Sequence, residues 1–169
     1  MERLDAAVLR RARTADVRAI HSFIDAYADD RILLTKPMVT LYEDVQEFWV
    51  AEIGGRVVGC GALHVMWEDL AEVRTLAVVP ELRGAGVGHL LLDRLIATAR
   101  VLGVRKVFCL TFEVDFFARH GFEVIDGVPV DHDVFAQILE SYDEGVAEFL
   151  DLERVKPNTL GNSRMFLTL

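Results

Sequence analysis

The sequence predicts a mixed α+β domain in which a mostly antiparallel sheet is flanked by helices. Three observations carry this prediction. Residues 48–79 hold three apolar, strand-like runs joined by tight turns; residues 76–102 read as strand, glycine-rich turn and helix; and the remaining segments alternate between helical and strand spacing up to residue 169. A chain of 169 residues, 52% of them hydrophobic, can bury one substantial core, so a single domain over residues 1–169 is expected. No linker, low-complexity tract or internal repeat divides it.

Val8 to Arg11 reads as a short strand. Thr14 then stands in a capping position before an amphipathic helix from about Asp16 to Ala28, with Val17, Ile20, Phe23, Ile24 and Tyr27 on one face. Residues 31–39 break the pattern at Pro37, and a second short helix is expected from about Leu41 to Glu47. Phe48 to Ile53, Gly54-Gly55 and Arg56 to Met66 form a hairpin signal, because paired glycines supply the positive φ of a tight turn. A further turn at Trp67 to Asp69 leads into a strand from Ala71 to Val79. Val87 to Leu102 has helical spacing and Gly103 sits at its C-cap position. Lys106 to Thr111 is the next strand, Asp115 to His120 a helix stopped by Gly121, Val124-Ile125 the start of a strand, Asp131 to Tyr142 a helix, and Ser163 to Leu169 a last strand.

Composition narrows the function. A net charge of −9 opposes sequence-independent binding of nucleic acid, which needs a basic surface. No apolar run is long enough to span a bilayer, and MERLDAAVLRRAR lacks the apolar region of a signal peptide, so a soluble, cytoplasmic protein without membrane partners is expected. Cys60 and Cys109 lie in apolar strand runs and read as buried thiols; no His and Cys cluster with ligand spacing points to a metal. His64 reads as a hydrogen-bonded strand histidine, and His120 as a residue suited to a helix C-terminus.

The segment LAVVPELRGAGVGH, residues 76–89, holds the strongest chemical signal. Successive backbone N–H groups in a glycine-rich turn, with the positive end of a helix behind them, can cradle a phosphate-bearing ligand. The turn is not a Walker loop, since Gly88 is followed by His89 and Leu90 rather than Lys and Ser or Thr. Nor is it a dinucleotide fingerprint, which needs GxGxxG and an acid about 20 residues on. A local set of amides is what an anion requires here, because the overall field of a −9 protein repels it.

Arg83, Gly86 and Gly88 match the acyl-CoA diphosphate loop of the GCN5-related N-acetyltransferase (GNAT) family: Arg or Gln, two residues, Gly, one residue, Gly or Ala. FFARHGFE, residues 116–123, resembles the family's later motif, and the element order resembles the GNAT acyl-CoA N-acyltransferase fold throughout. The resemblance implies acetyl-CoA as co-substrate and no metal. Its diphosphate would lie on Arg83, Gly84, Ala85, Gly86, Val87, Gly88 and His89, and its pantetheine amides would pair with the backbone of Leu76, Ala77 and Val78. The Arg83 side chain reads equally as a phosphate contact or a solvated loop charge.

Acetyl transfer needs a neutral amine, so a base or ordered water must take a proton. Glu72 stands where several members of the family carry a glutamate base; its plainer reading is an exposed strand charge or a partner of Arg74. Many relatives place a tyrosine in the helix after the last core strand to protonate the thiolate, but that position holds Phe117. Tyr142, Tyr27 or water remain for the role, and Cys109 as a covalent nucleophile is the weaker alternative to a core thiol.

ILLTK (residues 32–36), AEVRTLAV (71–78), VFCLTFEVDFFARHGFEVIDGVPV (107–130) and NSRMFLTL (162–169) resemble amino-acid N-acetyltransferases of the N-acetylglutamate synthase type. The resemblance implies a glutamate acceptor, with glutamine a further one, in arginine biosynthesis. Glutamate carries two carboxylates, and arginine suits bidentate pairing with them. Lys36, Arg74 and Arg164 are the cations near these segments, with Asn162 and Ser163 as neutral donors; each also reads as an ordinary surface group. A relative acting on peptide N-termini or lysine, or a non-catalytic acyl-CoA sensor, is the alternative. The apolar last strand is suited to a homodimer interface.

Overall fold

A computed structural model describes residues 7–29, 36–127, 129–141, 143 and 162–169. Seven strands and five α-helices are found among them. The chain forms two compact units, residues 1–64 with 73–102, and residues 65–72 with 103–169.

In the first unit, β1 (Val8–Arg11) pairs antiparallel with β2 (Phe48–Ile53), which pairs antiparallel with β3 (Arg56–Trp67). The predicted hairpin is present: Gly54 and Gly55 have φ of 57° and 81°. Helix α1 (Val17–Asp29) lays Val17, Ile20 and Ile24 against Phe48, Val50, Cys60 and Ala62, with Leu41 added by α2 (Met38–Glu43). The opposite face of the strands takes α3 (Val87–Leu102), whose Val87 and Leu91 pack on Ala51, Val58 and Val79. Glycines in β3 permit that approach, since a Cβ at Gly61 would lie 2.9 Å from Leu95 Cδ1. Trp49 is covered by the guanidinium groups of Arg11 and Arg94, each 4.7 Å from its ring centre, which ties α3 to the edge strands.

In the second unit, the opening residues of β4 (Leu70–Val78) run parallel to β5 (Lys106–Thr111), from Leu70↔Lys106 to Glu72↔Phe108. Strand β5 pairs antiparallel with β7 (Ser163–Thr168), and β7 with the two-residue β6 (Glu123–Val124). Leu70, Phe108 and Ile138 centre the core, closed by Val134 and Phe135 of α5 (His132–Ile138) and Phe166 of β7. Helix α4 (Val114–Ala118) buries Phe117, which meets Phe122 edge to face at 5.2 Å.

Three expectations shift. Thr14 is not the cap: a 3-10 turn, Thr14–Asp16, precedes α1 with Arg13 at its N-cap position, the Arg13 N–H donates to Asp16 at 2.7 Å, and the two Asp16 oxygens take the Arg10 guanidinium at 2.7 and 3.0 Å. Helix α2 starts at Met38 rather than Leu41, because Pro37, with φ −59°, is already set for a helix entry. It stops at Glu43, and a separate 3-10 turn covers Val45–Glu47. Helix α5 ends at Ile138, and Tyr142 lies outside the described residues, as do residues 31–35 of the 31–39 segment.

Candidate active site

In the first unit, the predicted anion cradle is a turn with defined geometry. After β4, Pro80–Leu82 forms one 3-10 turn, Arg83 is extended, and Gly84 and Gly86 have φ of 76° and 94°. These angles exact a penalty from any residue with a Cβ, so the glycines are conformationally required. Helix α3 opens with the Leu90 N–H donating to the Gly86 carbonyl at 3.2 Å. The N–H groups of Val87, Gly88 and His89 therefore precede the helix's first backbone bond and stand at its positive end. Val87, fully buried, anchors this helix start in the core.

Arg83 is not a freely solvated charge. Its Nε donates to the Tyr27 hydroxyl at 3.1 Å and its guanidinium lies 4.8 Å from the centre of the Tyr27 ring. Tyr27 in turn donates to the Val78 carbonyl at 2.7 Å. Of the backbone groups expected to meet pantetheine, the Val78 carbonyl thus already accepts a bond, and the Tyr27 hydroxyl proton is committed away from an acid role. Strand β4 leaves the extended region at Thr75, whose φ of 56° is the sole positive value among the described non-glycine residues. Its carbonyl accepts the Cys60 thiol at 3.3 Å.

In the second unit, Glu72 is buried, 5% exposed, which removes the reading of an exposed strand charge. Register places its neighbours: Glu72 pairs with Phe108, Phe108 with Phe166, and Leu110 with Arg164. Side chains two apart on a strand share a face, so Glu72 and Arg164 lie on one face of this sheet together with Leu70 and Phe108. Ser163 opposes Thr111, and Asn162 immediately precedes β7.

The other candidates are placed less closely. Arg74, two residues beyond Glu72 on β4, is buried, whereas Lys36 is a half-buried residue just before Pro37 and α2. Cys109 lies on the face opposite Glu72 by strand alternation. Burial, and then the nearby charge of Glu72, push its thiol well above its ordinary range, which opposes a thiolate nucleophile. Cys60 is pushed up to about 12 by burial. Phe117 is buried and offers no proton.

Sequence reasoning missed the Tyr27 clamp on Arg83 and the left-handed backbone of Thr75; His64 is the hydrogen-bonded strand histidine expected, its Nδ1 2.7 Å from Glu47 Oε1. Tyr27 had a signal: it ends the α1 stripe of Ile20 and Ile24, and a half-buried tyrosine there needs a partner for its hydroxyl. No helix of the described residues is long and apolar enough to cross a membrane, and none of their His, Cys, Asp and Glu side chains cluster in threes fit for a metal ion.

Comparison with known proteins identifies the family. Residues 44–124 match the Acetyltransferase (GNAT) domain family. An amino-acid acetyltransferase of Mycobacterium tuberculosis is 61% identical over 165 residues, covering 96% of this chain and 94% of the relative. The crystal structure of Rv2747 from the same organism, in complex with CoA and NLQ, superposes with a TM-score of 0.92 at 61% identity, over 96% of this chain and 99% of that one. The N-acetylglutamate synthase of Neisseria gonorrhoeae, complexed with CoA and N-acetyl-glutamate, superposes with a TM-score of 0.77 at 24% identity over 96% of this chain, which spans 35% of that protein's length. The chain belongs to the GNAT acetyltransferase family and is an acyltransferase whose co-substrate is acetyl-CoA.

Proposed function

We propose that this enzyme acetylates the α-amino group of a free amino acid, with L-glutamate the principal acceptor and L-glutamine a further one, by direct attack of the amine on the thioester in a ternary complex. The observation that carries the reading is the placement of a buried carboxylate, Glu72, and a cation, Arg164, on one face of the second unit's sheet. The name of the 61% identical relative, an amino-acid acetyltransferase, supports the acceptor class. The Neisseria synthase supports the fold.

Each group has a stated task. The amides from Arg83 to His89 hold the diphosphate, with the glycine turn bringing them forward. Arg164 supplies a cation for a carboxylate of glutamate, and Ser163 and Asn162 supply neutral donors. Glu72 accepts a proton from the substrate ammonium, leaving the lone pair that attacks the acetyl carbon. With phenylalanine at 117, water protonates the departing thiolate, itself a tolerable leaving group, so positioning carries much of the rate. In this reading the product, N-acetylglutamate, serves arginine biosynthesis, and the enzyme works in the cytoplasm.

The test is release of CoA thiol from acetyl-CoA with glutamate as acceptor, comparing wild type with Glu72→Gln. Loss of a general base lowers kcat by about 100-fold or more, with CoA affinity retained. An unchanged kcat would remove Glu72 from the mechanism.

A further inference from the structure

Tyr27 has no part in the chemistry proposed above, yet three of its contacts converge on the glycine-rich loop. Its hydroxyl donates to the Val78 carbonyl at 2.7 Å, near the end of β4. The same oxygen accepts the Arg83 Nε–H at 3.1 Å. The Arg83 guanidinium also lies over its ring, 4.8 Å from the centre. One side chain from α1 therefore holds both ends, Val78 and Arg83, of the stretch that leads from the strand into the left-handed turn at Gly84. The base of the clamp is firm, because Ile24 and Ile20, one and two helical turns earlier on the same stripe, are 1% exposed in the core.

We propose that Tyr27 is a positioning residue for acetyl-CoA, acting through Arg83. This rests on the reading that residues 83–89 hold the CoA diphosphate. A guanidinium has five N–H donors. The bond to Tyr27 uses the Nε–H, which leaves the four N–H groups of the two terminal nitrogens for phosphate oxygens. Stacking on the ring removes the rotational freedom of a long, exposed side chain before the ligand arrives, so less entropy is lost on binding. The Tyr27 bond to Val78 fixes the backbone from which Arg83 projects. Arg83 is a ligand contact in this scheme, and Tyr27 is what aims it.

A double-mutant cycle read by calorimetric titration with CoA itself tests the proposal. Tyr27→Phe keeps the ring and its packing while removing both hydrogen bonds. It is expected to raise the Kd for CoA about three- to tenfold, the range of lost ordinary hydrogen bonds. It raises the KM for acetyl-CoA alike and leaves kcat within about twofold, because the contact is made in ground and transition states equally. In an Arg83→Ala background the same Tyr27→Phe change is expected to shift the Kd by less than about twofold. An unchanged Kd in Tyr27→Phe overturns the proposal. So does an equal loss in both backgrounds, which would mark Tyr27 as a structural residue only; a thermal melt of each variant registers that role separately. Binding of CoA by wild type, and its weakening in Arg83→Ala, report on the loop itself, so failure of the loop reading and failure of the Tyr27 proposal give different patterns.

Discussion

Replacing Gly84 with alanine separates conformation from contact in the glycine-rich loop proposed to hold CoA. The φ of Gly84 is 76°, and a Cβ built there meets nothing within 4 Å. Steric clash contributes nothing, and the cost of Gly84→Ala is that of holding an L-residue in the left-handed region, about 1–2 kcal/mol. That cost appears in one of two observables. If the free protein keeps the turn, Tm falls by about 2–8 °C, at 2–4 °C per kcal/mol for a chain of this size. If the loop relaxes when free and is driven back on binding, Tm holds and the Kd for CoA rises about 5- to 30-fold. The two measurements, a thermal melt and a CoA titration, must sum to the same free energy, and Gly84→Asn, which tolerates the left-handed region better, must show a smaller sum. A Gly84→Ala protein with both Tm and Kd unchanged would refute the requirement for a left-handed residue in this turn.

Gly61→Ala is the steric counterpart: its Cβ would lie 2.9 Å from Leu95 Cδ1 and 3.0 Å from Leu76 Cδ1. Overpacking of this kind costs about 1–3 kcal/mol, and since both neighbours are side-chain ends the lower half of that range is expected in a thermal melt, with CoA affinity retained. Asp16→Asn removes the carboxylate that takes Arg10 and the Arg13 N–H; about 2 kcal/mol of stability is expected to be lost at neutral pH. The Arg10 hydrogen bond lowers the Asp16 pKa below its ordinary 3.8, so this stabilisation is present above about pH 4 and disappears as pH falls through the folded value. Denaturation of wild type and Asp16→Asn must therefore converge toward acid, and a gap that widens there would contradict the assignment. Arg164→Ala is expected to raise the KM for glutamate more than about tenfold, the loss of a charge-assisted pair, with the Kd for CoA unaffected.

Local signals in the sequence are the ones the structure reproduces closely. Gly54-Gly55, Gly84, Gly86, Gly103 and Gly121 all have positive φ, because glycine's role is written in a single position. Helix α3 and strand β5 match their expected bounds, since long periodic or apolar runs dominate their own structure. The misplaced features depend on partners outside their own local pattern. Thr14 looked like the cap, but Asp16 closes the turn, held by the Arg10 guanidinium from the preceding strand β1. Thr75 adopts a conformation that its branched side chain disfavours, and nothing in TLAV foretells it. The candidate site divides in the same way. The glycine loop was legible from spacing alone; that Glu72 shares a face with Arg164 follows only from the β4–β5–β7 register, which pairs residues tens of positions apart. The hold of Tyr27 on Arg83 spans 56 positions and has no local pattern.

The account makes the acceptor a free acidic amino acid and Glu72 its base. The most direct measurement is identification by mass of the acetylated product when the protein, acetyl-CoA and an equimolar panel of amino acids and two short peptides are incubated together, with Glu72→Gln in parallel. The account predicts N-acetylglutamate as the major product, formed about 100-fold or more slowly by the variant. Acetylated peptides without N-acetylglutamate, or equal rates in the two proteins, would contradict it.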